Sequence, residues 1–165
     1  MKIRIAGKND IPALVALKRR CWEETYRGIY PDEKIDAYSP QLNAARFLAL
    51  AEDPERHLFL AEVAGQPVGY LEYGVPIRPF RHFRREIGLL YLLREFQHCG
   101  YGKQLFHCGE AAIYGEGETE FFISCNKYNT PAIAFYQKMG GRLIHTDADQ
   151  ADRSLPQVKL LYSKE

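Results

Sequence analysis

The sequence predicts a mixed α/β fold: one sheet, antiparallel for the most part, with a parallel crossover in its middle and helices against it. Three observations carry this expectation. Strand-like segments follow one another directly at 58–63, 67–75 and 86–93, and again at 142–146 and 158–162, which favours antiparallel pairing. Between these groups, a strand, a glycine-bearing loop, a helix and a further strand run from 86 to 125, the order of a parallel crossover unit. The 165 residues, 46% hydrophobic and 26% charged, are the length and composition of one globular domain, placed at 1–165.

Residues 2–6 alternate as a short strand. Asn9 and Asp10 offer a helix cap, with Pro12 in the first turn. Ile11, Leu14, Val15, Leu17, Cys21 and Trp22 then recur at roughly helical spacing. Pro31 and Pro40 mark a break and a second helical region, ending near Asp53 and Pro54. Residues 58–63 and 67–75 form a hairpin about the turn Gly65-Gln66. A basic loop, 78–85, leads to 86–93, a buried strand by its apolar density. After the loop 97–102, a helix is predicted over 103–114, stopped by Gly115 and Gly117. Residues 119–125 are rich in strand formers. Thr130-Pro131 starts a helix as cap and first residue, and Gly140-Gly141 ends it. Two closing strands follow, around a polar connection.

Several classes of function are excluded early. The charge sum is +1, so no overall field draws the chain to nucleic acid or anionic membrane. The longest apolar run, from Ile87 to Leu93, is seven residues, against the roughly 20 a membrane helix needs. The N-terminus carries no secretory apolar region. Cys21, Cys99, Cys108 and Cys125 form no C-x-x-C pair and read as thiols of a reducing compartment, so a cytoplasmic location is expected. The histidines lack H-x-x-x-H or H-x-H spacing, and no metal site is expected.

The most informative segment is Gln97-His98-Cys99-Gly100-Tyr101-Gly102-Lys103, between a buried strand and a helix. Glycine lets backbone N–H groups turn towards one point. Together with the positive end of the helix they make an anion site. A dinucleotide fingerprint would need glycine at Leu105, and a Walker loop would need glycine at Gln97 and Ser or Thr at Gln104. On spacing alone, a plain tight turn stays open beside phosphate binding.

Gln97-x-x-Gly100-x-Gly102 after a strand resembles the acetyl-CoA signature Q/R-x-x-G-x-G/A of the GNAT N-acetyltransferase superfamily. Asn129-Thr130-Pro131-Ala132-Ile133-Ala134-Phe135-Tyr136-Gln137-Lys138-Met139-Gly140 is similar to that family's N-x-x-A-x-x-F-Y-x-x-x-G segment. Trp22-x-x-x-Tyr26-Arg27-Gly28-Ile29-Tyr30-Pro31 looks like the stretch many members carry between their first helices. The resemblance spans nearly the whole chain. Two departures stand out: Gly141 replaces a frequent Phe, and His98-Cys99 replaces a commoner small or basic pair, with Lys103 placed to compensate.

The resemblance implies the GNAT fold, its sheet splayed at the acetyl-CoA site. It implies an N-acetyltransferase moving the acetyl group of acetyl-CoA to a primary amine by direct attack in a ternary complex. Residues 97–103 (Gln97, His98, Cys99, Gly100, Tyr101, Gly102, Lys103) would cradle the pyrophosphate. Tyr91, Leu92 and Leu93 would pair with the pantetheine amides, and the N–H of Leu92 or Leu93 would polarise the thioester carbonyl. Asn129 would lie by the pantetheine arm. Tyr136 would protonate the leaving thiolate. An ammonium with a pKa near ~10.4 must lose a proton before attack; Glu86 is the candidate base, with Glu72, Tyr73 and a water chain as rivals. Without the resemblance, Tyr136 reads as core, Asn129 as a cap and Glu86 as a solvated strand end.

A nucleophilic Cys99 or Cys125 is not expected: local sequence places no histidine to partner Cys99, and direct transfer, as the resemblance implies it, needs no covalent intermediate. The loop 78–85 holds four arginines, one histidine and two phenylalanines. It reads as a solvated loop or dimer contact, as a grip on an anionic acceptor through Arg81, or as an RNA contact. Trp22, Tyr26, Tyr30 and Tyr38 are candidate acceptor walls, with plain core packing as the alternative. The acceptor is expected to be a small-molecule, peptide or protein amine, with neither membrane nor nucleic acid as partner and a homodimer left open. The alternatives are a non-catalytic acyl-CoA-binding module of the same fold, and an RNA-binding protein using residues 78–85.

Overall fold

The computed structural model describes residues 1–164. The elements in chain order are β1 Lys2–Ile5, α1 Ile11–Tyr26, α2 Asp32–Asp36, α3 Pro40–Glu52, β2 Arg56–Val63, β3 Gln66–Gly74, β4 Glu86–Leu92, α4 Tyr101–Gly115, β5 Glu120–Asn126, α5 Thr130–Lys138, β6 Arg142–Thr146 and β7 Gln157–Ser163. They build one seven-stranded sheet in the order β1-β2-β3-β4-β5-β7-β6. Every neighbouring pair is antiparallel except β4 and β5. The expected architecture is therefore present, with the crossover in mid-sheet.

Local chemistry accounts for the boundaries. Ser39 Oγ accepts the N–H of Leu42 at the start of α3, and Pro40 stands in its first turn, where a missing N–H costs nothing. The second helical region is thus two helices, because residues 37–39 turn before Pro40. The cap of α5 is Asn129, whose Oδ1 accepts from Ala132 N at 3.3 Å, so Thr130 opens the helix itself. Asp10 precedes α1 without capping it. Its carboxylate is drawn to the Arg4 guanidinium at 2.8 Å and to Gly7 N, and Arg4 holds that carboxyl below its usual range.

The two faces of the sheet are covered separately. Leu14, Leu17 and Cys21 of α1 and Phe47 of α3 pack on Leu58, Leu60 and Tyr70. Leu105, Phe106 and Ile113 of α4 and Tyr136 of α5 pack on Leu71, Ile87, Phe121 and Ile123. Each large side chain buried in these layers stabilises the fold by about 1.5–3 kcal/mol. Gly141, the departure noted above, has a packing reason: a Cβ there would lie 2.6 Å from the Tyr162 hydroxyl and 2.8 Å from the Tyr136 carbonyl. Those two groups are hydrogen-bonded to each other at 2.8 Å. Among the described residues no helix is long and apolar enough to cross a membrane.

Candidate active site

The sheet is not closed all the way along. β4 and β5 share two paired positions, Glu86 with Phe122 and Ile87 with Ile123. Beyond them the strands part. The cause lies in β4: Glu72 pairs with Leu89 and Tyr73 with Ile87, so Gly88 is an extra residue, a β-bulge. A bulge bends its strand and increases the twist. Glycine leaves room here for the buried ion pair: a Cβ on Gly88 would stand 2.5 Å from Glu72 Oε2 and 2.9 Å from Arg56 Nη2 and would have to displace both side-chain ends.

Past the bulge, β4 stays bonded to β3 on one side only. The N–H of Leu93 donates to Val68 O at 2.9 Å. Successive residues of an antiparallel strand turn their backbone groups to opposite sides. The N–H groups of Leu90 and Leu92 therefore face the gap, where β5 has turned away. This corrects the expectation for Leu93, whose N–H is already spent within the sheet, and for Tyr91, whose backbone groups turn to β3 on the same phase. Leu90 takes the second place in the gap; sequence reading missed it because the phase of the ladder depends on the bulge.

At the far end of the gap lies the glycine loop. Gln97 Nε2 donates to Leu92 O at 3.0 Å, so its side chain ties the loop to the strand. His98 and Gly100 both have positive φ, 60° and 82°, and α4 begins at Tyr101, two residues earlier than expected. Gly102 and Lys103 thus lie in its first turn. Gly102 rests on the Phe135 ring, 3.5 Å from where its Cβ would be. The backbone N–H groups of residues 98–100 donate to no acceptor among the described residues, and those of the first helical turn are free by construction. They lie at a helix N-terminus, which suits a phosphate.

Between loop and bulge stands a cluster of hydroxyls. Tyr136 is 7% exposed and its hydroxyl makes no hydrogen bond among the described residues. Burial first, then Cys125 and Tyr26, push its pKa well above the ordinary value. From the other face, Tyr26 and Tyr91 share a hydrogen bond at 3.1 Å, and Tyr30 stacks on Tyr26 at 4.0 Å between ring centroids. Trp22 meets Tyr26 and Tyr30 edge-on. Burial raises the Cys125 thiol to about 12, which leaves it a neutral wall and a poor nucleophile.

Glu86 is not a solvated strand end. It is 7% exposed, and its Oε1 accepts from Ile77 N at 3.0 Å and lies 3.4 Å from Arg56 Nη2. Arg56 also pairs with Glu72 at 2.5 Å and donates to Val75 O. Burial pushes the Glu72 carboxyl up, against the pull of Arg56. Two buried carboxylates thus share one guanidinium, and Glu86 Oε2 is left without a protein partner among the described residues. Removing that guanidinium would strand both. Arg56→Met is expected to cost about 3–5 kcal/mol of stability, read by chemical unfolding; a loss under about 1 kcal/mol would mean that the cluster is not held as described.

The loop 78–85 is largely a clasp. His82 pairs with Glu120 at 2.7 Å, Arg84 with Glu118 at 3.5 Å and Arg85 with Glu116 at 2.8 Å. Phe80 and Phe83 lie on Phe122. Arg81 lies over Phe80 and donates one Nη2 hydrogen to Ile144 O at 3.2 Å, with the rest of its exposed guanidinium open to solvent. Tyr73 bonds Glu116 and belongs to the same clasp.

A gap in mid-sheet beside a glycine loop at a helix N-terminus and a buried tyrosine suits a protein that handles an acyl-coenzyme. The Acetyltransferase (GNAT) family model matches residues 12–141, and the chain belongs to that family. It is an acetyl-CoA-dependent acyltransferase. Among curated relatives, the spermidine N(1)-acetyltransferase of Thermoplasma acidophilum is 26% identical over 152 residues, covering 89% of this chain and 91% of its own. An uncharacterized N-acetyltransferase of Lactobacillus delbrueckii subsp. lactis is 24% identical, covering 85% and 83%. Among solved structures, the PaiA N-acetyltransferase of T. acidophilum in complex with coenzyme A superposes with a TM-score of 0.77, at 23% identity and 98% coverage of both chains. A ribosomal-protein-alanine N-acetyltransferase from Brucella melitensis gives 0.77 at 24% identity, with 99% coverage of both. At that identity the structural likeness speaks for the fold alone.

Proposed function

We propose that the protein is an N-acetyltransferase that moves the acetyl group of acetyl-CoA directly to a primary amine, with Tyr136 as general acid. The observation that carries this reading is the position of the Tyr136 hydroxyl. The Tyr136 side chain is buried, its hydroxyl has no hydrogen bond to protein among the described residues, and Cys125 of β5 and Tyr26 lie close enough to act on its charge. Acetyl-CoA supplies an activated acyl group on a thiol leaving group. The N–H groups of residues 98–100 and of the first turn of α4 hold the pyrophosphate. The N–H groups of Leu90 and Leu92 hold the pantetheine amide and donate to the carbonyl oxygen as it gains charge. Asn129 keeps its Nδ2 without a partner among the described residues, and that group faces the pantetheine arm.

Glu86 Oε2 accepts the proton that the ammonium loses, directly or through water. Arg56 and Ile77 N fix the other oxygen, so the carboxylate is oriented before the amine arrives. Tyr26, Tyr30 and Trp22 wall the acceptor side, and the four free thiols fit a cytoplasmic setting.

A panel of amines with acetyl-CoA, followed by release of free thiol, tests the reading. Amine-dependent release supports it. Tight acetyl-CoA binding without release for any amine would make the protein a binding module instead. The pairing of His82, Arg84 and Arg85 with carboxylates argues against the RNA-binding alternative.

A further inference from the structure

Lys159 is the feature that the mechanism above does not use. It projects from β7 on the face of the sheet that carries Glu86, beside its cross-strand neighbour Ser124. Ser124 is the first residue of β5 beyond the last position paired with β4. Lys159 therefore stands where the gap opens, on the face from which an acceptor enters. Its Nζ donates to Ser124 Oγ at 2.7 Å and lies 5.0 Å and 5.2 Å from the Phe80 and Phe122 ring centroids.

No carboxylate lies within ion-pair distance of this half-buried ammonium among the described residues. Those nearby are engaged elsewhere. Glu86 is held by Arg56 and Ile77 N, and Asp147 accepts from Gln157 N and pairs with His145. Burial lowers the Lys159 pKa, Glu86 and Asp147 oppose this, and Arg78 reinforces it. Other buried or clasped cations in this region have carboxylate partners; Arg56 and Arg85 are examples. The ammonium is thus held by one hydroxyl and two aromatic faces, with no anion yet paired to it, and a charge-assisted hydrogen bond to a carboxylate would add to these.

We infer that Lys159, with Ser124, receives a carboxylate of the acceptor, so that the preferred acceptor is an amino acid or another small amine carrying a carboxylate close to its attacking nitrogen. The inference rests on the acetyltransferase reading of the gap and names the substrate class of that site. Ser124 accepts from Lys159, and its own O–H is free to donate. One cation and one hydroxyl match a monoanion better than a phosphate. Glu86 at one end of the face and Lys159 at the other match the ammonium and carboxylate of a zwitterion. A polyamine would instead bring a second ammonium against Lys159.

The test pairs each of several amino acids with its decarboxylated amine, adds spermidine, and follows thiol release by the intact protein with acetyl-CoA. The wild type is expected to favour the amino acid of each pair at least tenfold in kcat/KM. Lys159→Met is expected to erase that preference by lowering the amino-acid rate, with acetyl-CoA affinity and rates for the decarboxylated amines unchanged. Calorimetric titration of the coenzyme A complex with the best amino acid should give heat that the variant loses. Equal or faster turnover of carboxylate-free amines by the wild type overturns the inference, as does an unaltered preference in Lys159→Met. Acetylation of Lys159 itself in the absence of acceptor, seen by mass spectrometry, would also overturn it. If the wild type fails to bind acetyl-CoA, the reading beneath the inference fails first, and the two failures are distinct.

Discussion

Tyr136→Phe is expected to lower turnover by a factor of about 10² to 10⁴, the range that a positioned general acid contributes, while acetyl-CoA affinity stays within a few-fold of wild type. The substitution removes one oxygen and keeps the ring that packs in the α4–α5 layer. The folding cost is small, because the hydroxyl has no protein partner to strand. The pH dependence carries a second check. Burial disfavours the tyrosinate, so the Tyr136 pKa is raised well above the ordinary value. The proton stays on the oxygen throughout the working range, and Tyr136 contributes no fall in rate as pH rises through neutrality. The residual activity of Tyr136→Phe should therefore keep the shape of the wild-type pH profile at a lower level. Equal turnover in both proteins would remove Tyr136 from the mechanism.

Gly100→Val is expected to weaken acetyl-CoA binding by at least tenfold. Gly100 sits at a φ of 82°, in the left-handed region, immediately before α4. A β-branched residue there costs of order 1–3 kcal/mol, and the backbone relieves the strain by turning its N–H groups away from their common point. A tenfold loss of affinity corresponds to about 1.4 kcal/mol. Gly117→Val is the control. Gly117 has a φ of 89°, with open space where a Cβ would go, as at Gly100. It lies past the other end of α4. Both substitutions should lower thermal stability to a similar degree, and only Gly100→Val should lower coenzyme affinity. Parallel losses of affinity in the two variants would mean that strain, and not the loop, is being measured.

Much of this fold was legible because its signals are local. The hairpin around Gly65, the helix start near Thr130-Pro131, and the glycines at 100 and 102 each depend on a few adjacent residues. The family motifs located the loop and Tyr136 together. What was illegible depends on register. The bulge at Gly88 arises from how β4 pairs with β3, and a lone glycine in an apolar run does not announce it. The bulge in turn decides which N–H groups face the gap, so Leu90 replaces Leu93. The insertion of β7 between β5 and β6 brings Lys159 beside Ser124 and could not be inferred from two closing strands in sequence. Glu86 looked like a strand-end charge because its partner Arg56 is 30 residues away in the chain.

Calorimetric titration of the purified protein with acetyl-CoA tests the central claim most directly, because every role assigned above depends on the gap between β4 and β5 holding that molecule. The account predicts one site per chain with micromolar affinity, unchanged in Tyr136→Phe and weakened in Gly100→Val. Absence of binding, or binding indifferent to Gly100→Val, would contradict the account.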